Sequence, residues 1–146
     1  MQKKEPISEY LGDVVLTPEL KSYQITQLNP TEFWLFYFSA SWCGPCHQVT
    51  DLLRTLYLTL QTKSLEVILI PKDYKENDWM HYFASMPWLS LPFSDKPRIK
   101  MLTEMCQVET IPTLVVVDKH GQILNYDAVP FLKQDPKGRR FPWRQT

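Results

Sequence analysis

The strongest pattern along the chain is a series of short apolar runs separated by amphipathic stretches. Residues 33–38 (FWLFYF) form a continuous aromatic and aliphatic run, and residues 65–70 (LEVILI) and 113–118 (TLVVVD) are rich in aliphatic, largely β-branched residues. Runs of this length, bounded by polar residues, are typical of buried strands and too short for buried helices. The pattern therefore predicts three central strands.

The segment between the first two predicted strands has helical periodicity. One apolar stripe continues over about four turns after Cys46; its members are Val49, Leu52, Leu53, Leu56, Tyr57 and Leu60. A strand, a helix and a strand within this length imply a parallel pair of strands with a right-handed crossover. The chain is thus predicted to be α/β, with Cys43 just before the helix and Cys46 in its first turn.

The second half of the chain predicts shorter elements. Residues 77–86 and 96–106 can each form a helix, and two prolines interrupt the apolar segment 87–92 (PWLSLP) between them, which is predicted to be a loop. Residues 119–122 (KHGQ) predict a hairpin turn into an antiparallel return strand at residues 123–124. From Gln134 onward, prolines and a glycine break any periodicity.

Two interpretations of the loop at residues 87–92 stay open. Its apolar side chains, together with the nearby Phe93, either cover an edge of the sheet as a lid or form a surface for a partner. The lid is the more common role of aromatic residues beside prolines, and we favour it for Trp88, Leu89, Leu91 and Phe93.

Composition limits the number of domains and the kinds of partner. The chain has 146 residues, of which 44% are hydrophobic, so it can bury one sizeable core, and residues 1–146 are predicted to be a single domain. The formal net charge is zero, which gives no overall attraction to nucleic acid or to an anionic membrane. We expect neither as a partner.

The amino-terminal residues and the hydropathy pattern predict a compartment. The first six residues are polar and lead into no apolar run of signal-peptide length, and no stretch approaches the roughly 18 apolar residues of a membrane span. The expected location is the cytoplasm, with the nucleus as a second location.

Two of the three cysteines, Cys43 and Cys46, form a Cys-X-X-Cys pair. Three cysteines in this arrangement do not make a disulfide framework, so the pair is predicted to be catalytic or metal-binding. On spacing alone it is equally compatible with half of a zinc site. The other potential ligands lie on different predicted elements, which disfavours a metal site; they are Cys106, His47, His81 and His120. We therefore expect no metal ligands, and His47 is predicted to be a solvated first-turn residue.

The position of the pair at the start of a helix gives each cysteine a different chemistry. Unpaired N–H groups and the positive end of the helix dipole stabilise a thiolate at Cys43, and its pKa is expected below the roughly 8.5 of a free cysteine. Cys46, one turn further in, can attack a mixed disulfide on Cys43 and release the substrate. Cys43 is the predicted nucleophile and Cys46 the resolving thiol.

The residues around the nucleophile are predicted to shape the site. Pro45 fits the first helical turn, Gly44 allows the backbone to pass close to an approaching disulfide, and Trp42 gives a rigid apolar surface. Cys106 has apolar neighbours in the sequence and is predicted to pack in the core.

Residues 42–46 (WCGPC) are identical to the active-site motif of thioredoxins, and Ile111-Pro112-Thr113 before a buried strand resembles the cis-proline site of that superfamily. The resemblance implies a thioredoxin-like fold, with a central mixed β-sheet flanked by helices on both faces. It also implies a cis bond at Pro112, with Ile111 offering backbone polar groups to a substrate strand. No cofactor beyond a redox-active Cys43–Cys46 disulfide is implied.

Longer segments resemble the tryparedoxin and nucleoredoxin branch of this superfamily. They are residues 37–43 (YFSASWC), 82–93 (YFASMPWLSLPF), 135–138 (DPKG) and 141–143 (FPW). The likeness is collinear from about Tyr10 to Trp143, nearly the whole chain, and the Met-Pro-Trp-Leu segment is a specific marker of the branch.

The chain departs from the branch at several positions. Gly44 and His47 stand where the branch usually has proline and arginine, and residues 72–74 (KDY) replace its Trp-Asp-Glu segment. Residues 125–129 (NYDAV) replace a strand that bears an arginine. Recognition of trypanothione is therefore not carried over to this chain. Tyr37 lies where thioredoxins have a buried acid.

Two functions are compatible with these features. The first is a thiol–disulfide oxidoreductase that reduces protein disulfides, with electrons from an upstream thiol or reductase. The second is a redox-responsive binding module that holds a partner on the apolar surface around Trp42, Pro87, Trp88 and Pro112. Turnover that depends on Cys43 distinguishes them.

Overall fold

The computed structural model describes residues 6–27, 31–60 and 64–145. The helices are α1 (Pro6–Leu11), α2 (Gly44–Leu60), α3 (Glu76–Phe83), α4 (Lys96–Met105) and α5 (Val129–Gln134), with a short 3₁₀ helix at Ile25–Gln27. The strands are β1 (Val14–Leu16), β2 (Ser22–Gln24), β3 (Phe33–Ser39), β4 (Leu65–Pro71), β5 (Leu89–Ser90), β6 (Thr113–Asp118) and β7 (Ile123–Asn125). None of these helices is long and apolar enough to cross a membrane.

The strands form one mixed sheet in the order β2-β1-β5-β4-β3-β6-β7. Strands β3 and β4 are parallel, with Phe33 opposite Leu65 and Ser39 opposite Pro71. Strand β6 lies antiparallel on the other side of β3, and β7 returns antiparallel to β6. The parallel pair and the hairpin predicted from the sequence are confirmed.

Both faces of the sheet are covered by helices, which explains why the central strands are apolar at nearly every position. In β3, Leu35 and Tyr37 pack in one cluster with residues of α2, α3 and α5. The alternate residues Trp34, Phe36 and Phe38 pack in a second cluster with residues of α1 and α4. Strands buried on two faces lose the usual polar alternation. The predicted mixed sheet with helices on both faces is confirmed.

The segment around the two prolines at 87 and 92 differs from the prediction. Helix α3 ends at Phe83 rather than Met86, because a proline at position 87 disfavours helical geometry just before it. The predicted loop contains strand β5, which pairs with β4 on one side and β1 on the other. The prediction of a loop was wrong at these two residues, since the prolines flank the strand instead of interrupting it.

The same segment is part of the core. Trp88 is fully buried, and Leu89 and Leu91 are buried as well. Trp88 lies edge-on to two tyrosine rings, Tyr37 and Tyr57. Trp88 is thus a core residue and is not available to a partner, but the segment lies within the sheet and does not cover its edge.

Besides β5, five described elements were not predicted from the sequence: helix α1, strands β1 and β2, the 3₁₀ helix and helix α5. Each spans six residues or fewer, which is too short for a periodic pattern to identify. After α5 the chain has no regular secondary structure, but hydrogen bonds hold it against the rest of the protein. The Trp143 indole N–H donates to Asp135 at 2.9 Å, and the Asn125 amide donates to the Trp143 carbonyl at 2.7 Å.

Candidate functional site

The Cys-X-X-Cys segment lies at the carboxyl ends of the parallel strands β3 and β4. The chain leaves β3 at Ser39, makes a turn closed by a hydrogen bond from Cys43 N–H to the Ala40 carbonyl at 3.2 Å, and enters α2 at Gly44. Cys43 therefore precedes the helix and Cys46 lies in its first turn, as predicted.

The two cysteines are bonded to each other and differ in accessibility. Cys43 and Cys46 form a disulfide, with their Cα atoms 5.3 Å apart. Cys43 is 5% exposed, whereas Cys46 is fully buried. A substrate can therefore reach only the Cys43 side of the bond.

The segment before β6 meets the disulfide at Cys43. The Ile111–Pro112 peptide bond is cis, as the resemblance implied. The carbonyl oxygen of Ile111 lies 3.9 Å from the Cys43 sulfur. The structure thus brings the Ile111–Pro112 segment together with Cys43.

A buried carboxylate holds the loop that leads to the nucleophile. Asp73, just after β4, accepts hydrogen bonds through Oδ1 from the Ser41 backbone N–H at 2.9 Å and from the Ser41 hydroxyl at 2.6 Å. His47 is exposed, and its Nε2 lies 2.9 Å from the Ser41 carbonyl oxygen. Sequence reasoning missed Asp73, although its place directly after a strand parallel to β3 was a usable signal.

Four buried hydroxyl groups form a network behind the disulfide. The Tyr37 hydroxyl donates to the Cys46 carbonyl at 3.0 Å and contacts the Thr50 hydroxyl at 2.8 Å. The Tyr82 hydroxyl contacts Thr50 at 2.8 Å and Ser39 at 2.6 Å. Together these bonds fasten the first turns of α2 to β3 and α3.

The chemistry of this network is that of neutral hydroxyl groups. Burial, with a further contribution from the neighbouring Tyr82, raises the pKa of Tyr37 well above the usual range for tyrosine. The phenol consequently stays protonated near neutral pH and cannot accept a proton from Cys46. The place where thioredoxins have an acid is thus occupied by a hydrogen-bond donor.

A groove of about 510 Å³ opens in front of the disulfide, and Trp42 and Ile111 line it at the end nearest Cys43. The Trp42 and Tyr74 rings are stacked, with centroids 5.5 Å apart and planes 8° apart. They are 53% and 81% exposed, which is unusual for large aromatic rings. Sequence reasoning had identified Trp42 but not Tyr74.

The other sequence-predicted residues have simpler surroundings. Gly44 and Pro45 are exposed at the start of α2, and a Cβ on Gly44 would meet no atom within 4 Å. Cys106 is buried at the end of α4, as predicted, and burial raises its pKa to about 12. Within the part of the chain that the structure describes, no group of three or more His, Cys, Asp or Glu residues could hold a metal ion.

Comparison with known proteins agrees with this geometry. Residues 32–123 match the family model described as thioredoxin-like. The chain belongs to the thioredoxin-like family. It is 40% identical over 109 residues to a tryparedoxin from Trypanosoma brucei brucei, a match that covers 73% of this chain and 76% of that protein.

Two further relatives cover almost the whole chain. Native tryparedoxin I from Crithidia fasciculata superposes with a TM-score of 0.89 at 33% identity, over 96% of this chain and 99% of that one. A nucleoredoxin from Bos taurus is 30% identical over 95% of this chain, but the chain spans only 32% of its length. The resemblance to the tryparedoxin and nucleoredoxin branch is confirmed, and with its Cys43–Cys46 disulfide this thioredoxin-like protein is a thiol–disulfide oxidoreductase.

Proposed function

We propose that the protein reduces disulfides in protein substrates through a two-step cycle at Cys43 and Cys46. The observation that supports this most strongly is the asymmetry of the pair. Cys43 lies at the groove beside the Ile111 carbonyl, while Cys46 is fully buried behind it. One sulfur is placed to meet a substrate, and the other can meet only its neighbour.

In the first step, the Cys43 thiolate attacks one sulfur of the substrate disulfide. A bond forms between Cys43 and that sulfur, the substrate S–S bond breaks, and the second substrate sulfur leaves as a thiolate that takes a proton from water. N–H groups at the start of α2 favour the Cys43 thiolate. Trp42, Gly44, Pro45, Ile111 and Pro112 are the proposed substrate-binding residues around it.

In the second step, Cys46 loses its proton and attacks the Cys43 sulfur. The Cys43–Cys46 disulfide forms and the first substrate sulfur leaves as a thiol, so the substrate has gained two electrons and the protein has lost two. The neutral phenol of Tyr37 does not take the proton from Cys46. This proton passes to water or to a thiolate at the site. An upstream thiol or reductase returns the two electrons.

The partners and location follow from this proposal. Protein disulfides are the substrates, the electron donor is a thiol or a reductase, and the redox-active disulfide serves in place of a cofactor. We place the protein in the cytoplasm, with the nucleus as a second location, because a reducing compartment suits a free Cys106 and a single redox-active pair.

Insulin reduction driven by dithiothreitol at neutral pH tests the proposal. Cys43→Ser should lower the catalysed rate to the background, and pre-reduced Cys46→Ser, mixed with insulin without free dithiothreitol, should accumulate a mixed disulfide that gel electrophoresis without reductant detects. Cys106→Ser is the matched control and should keep the wild-type rate. A folded wild-type protein with no rate above background would contradict the proposal.

A second candidate function is supported by the stacked rings of Trp42 and Tyr74. Exposed aromatic surface of this kind is common where a protein binds a partner. A redox-responsive binding module would retain its partner in the reduced form and release it on oxidation. The buried Trp88 removes part of the surface first expected for this role, so the reductase is the better supported function.

A further inference from the structure

The groove beside Cys43 carries two ammonium groups at fixed positions. The Lys72 Nζ donates to the Thr103 hydroxyl at 3.1 Å. The Lys96 Nζ lies 3.2 Å from the centroid of the Phe93 ring, a cation–π contact. Both lysines line the same groove as Trp42 and Ile111. Each contact restricts a long side chain that would otherwise move freely, so both charges stay beside the groove.

Both ammonium groups have donor capacity that the protein leaves unused. An ammonium has three N–H donors, and in the described residues Lys72 gives one of them to Thr103. Among residues 6–27, 31–60 and 64–145, neither lysine has a carboxylate within 4.0 Å. Desolvation lowers the pKa of both amines, and the charge of Lys72 also lowers the pKa of Lys96. Lys72 is half-buried and Lys96 is exposed, and neither ammonium group forms an ion pair within the described residues.

Acidic residues lie near the groove as well, but none of those that the structure describes forms an ion pair with either lysine. Asp73 is buried, and its Oδ1 is occupied by two hydrogen bonds from Ser41. Glu109 lines the groove but is exposed, where water screens its charge. The charge of Glu76 raises the pKa of Lys96 by more than the charge of Lys72 lowers it, but neither Glu76 nor Asp73 forms an ion pair with Lys96. A carboxylate brought by a ligand can accept the N–H donors that both lysines leave unused.

The aromatic rings supply the apolar part of the same surface. Trp42 and Tyr74 form a stacked platform next to the nucleophile, and a side chain beside the substrate cysteine can pack on it. Beside the Ile111 carbonyl, which contacts Cys43, the groove thus offers an apolar platform and two cations. An extended acidic peptide segment has the complementary features.

We infer that the preferred substrates are protein disulfides whose cysteine lies in an extended segment with an acidic side chain a few residues away. That carboxylate binds Lys72 and Lys96, while a neighbouring residue packs on Trp42 and Tyr74. The inference rests on the proposed function, since it assigns the substrate class of the same site.

Matched substrates test the inference. Three symmetric disulfide-linked peptides differ only at the positions flanking their cysteine, which carry glutamate, glutamine or lysine. Flanking charges also change the intrinsic reactivity of a disulfide, so each rate with pre-reduced protein is divided by the rate of the same peptide with free dithiothreitol. The quantity measured is the ratio of these normalised rates.

The glutamate peptide should react faster than the lysine peptide by about three- to tenfold at low ionic strength, with glutamine between them, and added salt should reduce the ratio. Lys72→Gln combined with Lys96→Gln should bring the ratio close to one. Lys100→Gln combined with Lys133→Gln makes the same change in net charge at exposed positions outside the groove and should keep the wild-type ratio.

The outcomes separate the two proposals. Equal normalised rates for the three peptides with wild-type protein overturn the inference, while insulin reduction still supports the reductase. A ratio that survives in the Lys72 and Lys96 variant overturns the assignment to these lysines. Absence of any reaction with insulin and with all three peptides overturns the proposed function itself.

Discussion

Two tyrosines connect the opposite ends of helix α2 to the sheet, and their hydroxyl groups have different partners. At the catalytic end, Tyr37 donates to the Cys46 carbonyl and contacts Thr50, and both partners are neutral. At the far end, Tyr57 donates to the Glu66 carboxyl at 3.1 Å. The rings of both tyrosines lie against Trp88. A tyrosine hydroxyl therefore holds each end of α2, but its partners are neutral at the catalytic end and include a carboxyl group at the far end.

The difference has a consequence for pH dependence. Burial raises the pKa of both phenols, so neither tyrosine titrates near neutral pH. Burial also raises the pKa of Glu66 to about 7, although hydrogen bonds from Tyr57 and the Val67 backbone partly oppose this. The hydrogen bonds of Tyr37 therefore do not change with pH in the physiological range, while Tyr57 is bonded to a group that titrates there.

The largest expected effect comes from Trp88, which both tyrosines contact. Trp88→Ala should lower the free energy of unfolding by about 3–5 kcal/mol, because it leaves a cavity beneath both ends of α2. Urea unfolding followed by circular dichroism measures the change. Trp88→Phe fills most of the space and should cost less, and it gives a measurable value if the alanine variant does not fold. If Trp88→Ala lowered the free energy of unfolding by less than about 1 kcal/mol, the packing of both tyrosines on Trp88 would not stabilise the protein as described.

The next effect distinguishes the far end from the catalytic end. The folded-state pKa of Glu66 lies above the ordinary value of 4.5, so the folded protein binds this proton more tightly than the unfolded chain. Stability from this group is therefore present at low pH and is lost as pH rises from about 4.5 to 7, with little further change above. Glu66→Gln removes this loss of stability. The change in the free energy of unfolding that the substitution causes should therefore be more favourable at pH 8 than at pH 5, by about 1–3 kcal/mol.

The control for Glu66→Gln is the pH dependence of the wild-type protein. Urea unfolding of both proteins at several pH values gives the difference directly, and groups common to both cancel in it. A difference that stays constant from pH 5 to 8 would contradict the raised pKa of Glu66.

The hydroxyl of Tyr37 gives a smaller effect of a different kind. Tyr37→Phe keeps the ring but leaves the buried Thr50 hydroxyl without one partner, which should cost about 1–2 kcal/mol. Since the Tyr37 phenol stays protonated near neutral pH and its partners are a carbonyl and a threonine hydroxyl, the cost should be the same at pH 5 and pH 8. Tyr57→Phe is the matched variant at the far end, where the cost should depend on pH through Glu66. A cost at Tyr37 that changed with pH would show that the two ends do not differ as described.

The sequence predicted the long elements and the chemistry of the cysteine pair, but not the groups that fix them in place. Strands β3, β4 and β6 and helix α2 have patterns long enough to identify, and the WCGPC segment identifies Cys43 and Cys46 directly. Strand β5 has two residues and no period of its own, so only its pairing with β4 defines it. The Asp73–Ser41 bonds and the Tyr37–Thr50 contact join distant parts of the chain, and side-chain hydrogen bonds of this kind depend on tertiary packing.

The smallest expected effect on stability is at Trp42, which contrasts with the buried Trp88. The Trp42 ring is 53% exposed and stacks on Tyr74, which is itself exposed, so Trp42→Ala leaves no buried cavity. The free energy of unfolding should change by less than about 0.5 kcal/mol. Reduction of insulin should nevertheless become slower, about three- to tenfold in kcat/KM, because the substrate loses an apolar surface beside Cys43. Urea unfolding and the insulin assay on the same preparation separate the two quantities. An unchanged kcat/KM would mean that this exposed ring takes no part in substrate binding, and the platform beside Cys43 would then have no role in the reductase cycle.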